Sequence, residues 1–153
     1  MKRKYKYKPF KQGKYRPVNK EKYIGKHIPE YRSSWELRFF EFCDKNPLIL
    51  EWSSESVIVP YISPVDGKLH RYYVDGAVVI REGNNIVKYL IEIKPEKQTI
   101  PPKESKRKKA STLLYEKVTY AINQAKWEAA SKFASQKGMK FIILTEKELF
   151  SNK

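Results

Sequence analysis

Four short extended runs lie between Leu48 and Lys94, and their spacing constrains the fold more than any other feature of the chain. "LILEW" (48–52), "VIVPYI" (57–62), "LHRYYVDGAVVI" (69–80) and "IVKYLIEIK" (86–94) are rich in β-branched and aromatic residues and read as strands. Asp66-Gly67 is a hairpin-turn signal between the second and third runs, and "REGNN" (81–85) is the next turn. Pro60 weakens the second strand, because proline cannot donate to a ladder. A helix precedes this block. Ser33 followed three residues later by Glu36 is a capping-box signature, and Asn46-Pro47 ends that helix. After the block, Leu114, Val118, Ala121, Ile122, Ala125, Ala129 and Phe133 recur at helical spacing and predict a helix over 111–136, with Gly138 as its stop. "KFIILT" (140–145) reads as a continuous apolar strand of the kind buried in a sheet centre, and a short helix follows it. The order is helix, strands, helix, strand, which is an α/β chain. Its 153 residues suit one domain with a core large enough to need no staple.

Charge narrows the function. The net charge is +15 and the pI about 9.8. Residues 1–28 carry eleven lysines and arginines against Glu21 alone, and residues 103–109 carry five against Glu104. Outside these two stretches the chain is nearly neutral. A segregated positive field suits a polyanion, with nucleic acid as the first candidate and a solubilising tail as the plain alternative. Residues 1–30 show no sustained apolar period, only scattered aromatics among the lysines, so they read as an extended, partly disordered arm ahead of a domain over 31–153. The single Cys43 rules out an internal disulfide framework or a multi-cysteine zinc site, and His27 and His70 are too few for a metal cluster. No apolar run approaches the length needed to span a bilayer, and nothing apolar follows the basic start as in a signal peptide.

The chemistry-bearing residues interrupt apolar runs. Glu92 and Lys94 stand two apart in a strand, so they share a face. An exposed ion pair explains such a pair as simply. Asp75 breaks the preceding strand. A hairpin through 81–85 leaves it near the far end from the turn, and a bend or offset at Gly76 is expected to bring it to Glu92. Asp75-Gly76 can also be read as a tight turn. Glu36 shares a helical face with Phe39, Phe40 and Cys43, and is equally readable as the capping residue. Three carboxylates and a lysine so arranged would suit a hard divalent cation beside a phosphodiester, since such ions take oxygen ligands and leave room for phosphate and water. Lysine would supply a point charge for the developing negative charge. On the long helix, Tyr120, Asn123 and Trp127 form a second stripe. Core packing is expected for Trp127, with Asn123 or Gln124 able to touch DNA.

The order helix-Glu, strand-Asp, strand-Glu-x-Lys, long helix, strand resembles the PD-(D/E)XK nuclease superfamily. The strings "YRSSWELRFFEFCD", "WSSE", "HRYYVD", "IEIKPEKQ", "NQAKWEAA" and "FIILTE" are similar to the head completion nucleases of T4-like tailed phages, and a related pattern occurs in transposon-type endonuclease subunits. The resemblance covers about residues 31–147 and implies a restriction-endonuclease-like αβββαβ core with a mixed central sheet. It implies Asp75 and Glu92 as metal ligands, the Ile93 backbone carbonyl as a third, Lys94 as the catalytic lysine, and Glu36 helping to hold the metal, often through water. One departure is plain: Val74 stands where the motif's proline would be, and Gly76 is small where a bulky residue is usual.

The resemblance further implies an Mg2+-dependent DNA nuclease, with Mn2+ as a substitute and no small-molecule cofactor. It would act on packaged DNA during head completion, before head–tail joining, in the host cytoplasm or at the head–tail junction of the virion. Double-stranded DNA is the expected partner, with portal or neck proteins beside it and no membrane. The residues expected to meet DNA are Lys2, Arg3, Lys4, Lys6, Lys8, Arg32, Arg71, Lys97, Lys106, Arg107, Lys108, Lys109 and Gln124. Two alternatives stand beside this reading: a non-catalytic protein that caps a DNA end or docks on the portal, and a strand-cutting subunit of a transposon-type pair.

Overall fold

The computed structural model describes residues 12–150. Its strands are β1 (Gly13–Lys14), β2 (Glu30–Tyr31), β3 (Ile49–Ser54), β4 (Ile58–Ile62), β5 (Leu69–Tyr73), β6 (Gly76–Glu82), β7 (Asn85–Ile93) and β8 (Lys140–Leu144). Its helices are α1 (Ser34–Lys45), α2 (Ala110–Gln136) and α3 (Glu146–Leu149). The central sheet has the order β3-β6-β7-β8. Its first two pairings are antiparallel and β7-β8 is parallel, so the sheet is mixed. Taken with α1 and α2, this is the expected αβββαβ core. A two-stranded ribbon, β4-β5, is inserted between the first and second core strands.

Local chemistry explains the elements. Ser33 is the N-cap of α1, its side chain accepting from the Glu36 N–H at 3.3 Å. Asp66-Gly67 turns the ribbon, with Gly67 at φ +67° and Asp66 Oδ1 accepting from the Lys68 N–H at 2.9 Å. The turn after β6 is tighter than expected. Glu82 pairs with Asn85, leaving only Gly83 and Asn84 between the strands, with Gly83 at φ +60°.

Strand alternation splits the core into two clusters, one on each face of the sheet. Ile91, Val78 and Trp52 pack with Phe39, Phe40 and Cys43 of α1. Leu90 faces the other way and packs with Trp127, Ala130 and Ala134 of α2 and with Val59, Tyr61 and Tyr72 of the ribbon.

Four expectations are corrected. The run 69–80 is not one strand: it breaks at Val74-Asp75, and its first half joins the ribbon rather than the central sheet. β8 lies at the edge of the sheet, not its centre, because the α2 crossover returns the chain beside β7 with nothing beyond it. On α2 the buried stripe is Asn123, Trp127, Ala130 and Ala134, while Leu114 and Val118 are exposed. Leu114 and Val118 belong to neither core cluster, so the first turns of the helix lie outside the core. Finally, the arm is packed on the domain from residue 12 onward. Tyr15 O–H donates to the buried Asp44 at 2.6 Å, the Val18 and Asn19 N–H groups donate to the same carboxylate at 2.8 and 2.9 Å, and Ile24 N–H reaches the Trp52 carbonyl on the open edge of β3. These bonds hold the Asp44 carboxyl below its ordinary range against the opposing effect of burial. The segment thereby covers a sheet edge that would otherwise be free.

Gly76 sets the distance between α1 and the sheet. A Cβ there would stand 2.6 Å from Phe39 Cε1, a ring that is itself buried. Gly76→Ala is therefore expected to destabilise the fold by about 1–3 kcal/mol through overpacking. Thermal unfolding should show a Tm lower by roughly 2–4 °C for each kcal/mol. An unchanged Tm would mean that the ring moves aside freely.

Candidate active site

The β6-β7 register builds the site. Gly76 pairs with Ile91, so Asp75, one residue further, falls opposite Glu92. The two-residue turn produces this pairing directly, and the bend expected at Gly76 is not needed. Where the ladder ends, the Asp75 side chain continues it: Oδ2 accepts from the Ile93 N–H at 2.7 Å. Beside it, the Asp75 carbonyl accepts from the Glu55 N–H at 3.2 Å, with Glu55 held in the left-handed region at φ +49°.

Glu92 is only 6% exposed. One of its oxygens accepts from Tyr72 O–H of β5, and the other lies 3.7 Å from Lys94 Nζ. Lys126 of α2 adds a second positive charge; its Nζ lies 5.5 Å from the Tyr72 ring centre and 5.8 Å from that of Tyr61. Burial pushes the Glu92 carboxyl up, opposed by Tyr72, Lys94 and Lys126. Burial, followed by the charge of Glu92, pushes Asp75 up, opposed by the Ile93 N–H. Glu36, one turn before Phe39, is pushed up by its own burial and feels the charges of Glu55 and Glu92. The two strand acids thus form a like-charge pair in a poorly solvated place, with a half-buried lysine at its rim.

Of the expected site residues, the fold gathers Asp75, Glu92, Ile93 and Lys94 at one end of the β6-β7 hairpin. Glu36 contributes through its field; among the described residues no three His, Cys, Asp or Glu side chains stand close enough together to hold a metal ion. Asp75 and Glu92 are the two carboxylates that the strand register sets opposite each other. The basic residues are dispersed. Arg32 is exposed and paired with Glu55 at 3.4 Å. Arg71 lies on the outer face of the ribbon, opposite the face from which Tyr72 reaches Glu92. Lys97, Lys106, Arg107, Lys109 and Gln124 are exposed, whereas Lys108 is tied to Glu116 at 2.8 Å. Lys2, Arg3, Lys4, Lys6 and Lys8 lie outside the described residues. Trp127 packs in the core as expected, and Asn123 is buried beside it.

Tyr72 and Lys126 are site residues that the sequence does not single out. Each sits in a string of mixed aromatic and charged residues, and only strand alternation through the ribbon signals that Tyr72 faces inward while Arg71 and Tyr73 do not.

A family model described as "TnsA-like endonuclease N terminal" matches residues 46–146, which contain Asp75, Glu92 and Lys94. This chain belongs to that endonuclease family. The head completion nuclease of Enterobacteria phage T4 is 40% identical over 142 residues, spanning 88% of this chain and 90% of that protein. The likeness to the phage protein spans more of the chain than the family model matches, so it takes in part of the chain before residue 46 as well. No helix among the described residues of this nuclease is long and apolar enough to cross a membrane.

The raised acids make a stability prediction that does not depend on activity. A carboxyl whose pKa is higher folded than unfolded keeps its proton longer in the folded state. Its contribution to stability therefore falls as pH rises from the unfolded value, about 4, through the folded one. Asp75→Asn removes that penalty while keeping an acceptor for the Ile93 N–H. In EDTA the Tm of Asp75→Asn minus that of wild type is expected to be near zero at pH 4 and to grow positive by pH 8, about 2–4 °C for each kcal/mol relieved. A difference that is flat with pH would mean that Asp75 is not strained by its surroundings.

Proposed function

We propose that this chain is a divalent-cation-dependent DNA nuclease, with Mg2+ as the natural ion and Mn2+ able to replace it, and with Asp75, Glu92 and Lys94 as its working residues. The observation that carries the reading is the juxtaposition of Asp75 and Glu92 at the hairpin end with Lys94 Nζ 3.7 Å from Glu92. Two partly desolvated carboxylates are a donor set for a hard cation, which needs only one or two of them and completes its shell with water and phosphate. Asp75 and Glu92 would hold the ion, with the Ile93 carbonyl beside them and Glu36 acting through water. When bound, such an ion polarises a phosphodiester and lowers the pKa of a water molecule.

The chain's own groups do the rest. Tyr72 O–H holds one oxygen of Glu92 in place, which leaves the other turned toward Lys94. Lys94 Nζ stands where it can meet a non-bridging phosphate oxygen and offset the charge that builds in the transition state. Glu92 is buried and Asp75 and Glu36 are partly buried, which limits the access of bulk water to the acids. The likeness to the phage T4 protein extends the reading to head completion: cleavage of packaged DNA in the host cytoplasm or at the head–tail junction, with portal or neck proteins as partners. The exposed basic residues of 97–109 and the lysine-rich first eleven residues would meet the DNA backbone without regard to sequence.

Asp75→Asn and Glu92→Gln should each lower Mg2+-dependent plasmid cleavage by roughly 10²–10⁴-fold, the loss of several kcal/mol of charge stabilisation, while leaving DNA affinity in EDTA unchanged. Undiminished cutting by both variants would place the site elsewhere.

The packed segment from residue 12 changes how the arm is tested. Removing residues 1–11 takes away Lys2, Arg3, Lys4, Lys6, Lys8 and Lys11 without disturbing Tyr15, Val18 or Asn19 on Asp44. The slope of log affinity against log salt should flatten by up to about 5, near 0.9 for each phosphate no longer neutralised. If the slope stays the same, these residues do not meet DNA.

A further inference from the structure

Beyond Lys94 the chain leaves the sheet through Pro95 and runs as a loop to the start of α2. Between that loop and the first turns of the helix lies a cleft of about 640 Å³. It contains none of Glu36, Asp75 and Glu92. Such a volume falls within the range of pockets that bury a small ligand, about 300–1,000 Å³. By contrast, a larger cleft, about 770 Å³, lies between α1 and α3 and is lined by neither Asp75 nor Glu92.

The lining of the smaller cleft is specific in character. Tyr115 is 73% exposed, an unusual position for a large ring on an otherwise uncovered helix turn. Tyr120 lies further along the same wall, and Ile100 faces them from the loop at 47% exposed. The floor is Asn123, 6% exposed, whose side-chain amide makes no hydrogen bond among the described residues. Its amide atoms are not among the fully buried, unpaired polar groups of the described residues, so they stay open to a ligand or water entering the cleft. The rim carries Lys97 and Lys103, neither in an ion pair among the described residues. The one carboxylate, Glu116, is neutralised by Lys108 at 2.8 Å.

We propose that this cleft binds an unpaired nucleotide of the DNA strand, so that the nuclease engages DNA with a frayed, forked or overhanging segment in preference to uninterrupted duplex. The proposal takes its class of ligand from the DNA reading above. Exposed Tyr115, with half-buried Tyr120 beside it, offers a stacking face that a flipped or single-stranded base can reach and a paired base cannot. Asn123 offers both a donor and an acceptor, which is what a free base edge requires. Lys97 and Lys103 flank the opening, three and nine residues beyond Lys94. A protein segment would also find apolar surface here, but it would gain nothing from two free lysines beside an unpaired amide.

The test uses the full chain in EDTA, where no cleavage complicates binding. Two labelled DNAs with equal numbers of phosphates are compared: a blunt duplex, and a fork whose unpaired arm carries 2-aminopurine. Wild type should bind the fork about tenfold more tightly, within the roughly 5- to 150-fold that one stacked base supplies, and quench the 2-aminopurine. Tyr115→Ala should bring the fork down to the affinity of the duplex and abolish quenching, while Tyr115→Trp keeps both. Because Tyr115 is exposed, its loss leaves the fold intact, which the Tm confirms. Asn123→Ala should lower fork affinity alone. Equal binding of the two DNAs by wild type would overturn the proposal, as would an equal loss on both DNAs in Tyr115→Ala. Cleavage that survives Asp75→Asn would overturn the catalytic assignment and leave this binding result standing.

Discussion

The register of a single hairpin holds the site together. With only Gly83 and Asn84 in the turn, β6 and β7 pair from Glu82 and Asn85 up to Gly76 and Ile91, and the next residues in line are Asp75 and Glu92. A slip of one residue would turn every side chain of β7 to the opposite face. Ile91 and Leu90 would then exchange clusters, and Glu92 would leave Tyr72 and Lys126. Both faces of the strand are buried, so that slip is strongly disfavoured. The carboxylates meet because two hydrophobic clusters fix the strand between them.

The fold holds these carboxylates where they are costly. Asp75 and Glu92 stand close together and away from water, and each is easier to protonate than in solution. The Ile93 N–H, the Tyr72 hydroxyl, Lys94 and Lys126 offset part of that cost, but not all of it. A cation arriving between two such groups would relieve the repulsion that remains. The same reasoning explains Gly76. Only a residue without Cβ lets Phe39 sit against the strand, and that approach brings α1 close enough for Glu36 to feel the other acids.

Much of the fold is legible in the residues. Turn chemistry at Asp66-Gly67 and the cap at Ser33 are local, so the sequence carries them directly. Helical spacing places the long helix to within a residue of its start and at its true end, yet it points to the wrong buried face. Leu114 and Val118 fit the helical period as well as Trp127 does, but neither core cluster takes them in. The run 69–80 reads as continuous because Val74 and Ala77 are apolar; the break at Asp75 depends on where the ribbon leaves the sheet. The packing of residues 12–31 is hidden for a similar reason. It relies on Asp44, a single acid in a helix, which acts as an anchor only once three donors from another part of the chain are brought to it.

By itself the sequence determined the order of the elements, the alternation that puts Glu92 and Lys94 on one face, and the place of the turn between β6 and β7, though not the two-residue length that sets Asp75 opposite Glu92. These are properties of neighbouring residues and of one short loop. Tertiary structure alone decided that Tyr72 and Lys126 attend Glu92, that Arg71 faces away, and that Asn123 lies unpaired at the floor of a lysine-rimmed cleft. Each of these depends on where α2 and the ribbon pack against the sheet. Such packing is set by summed burial over distant residues, and no local pattern encodes it.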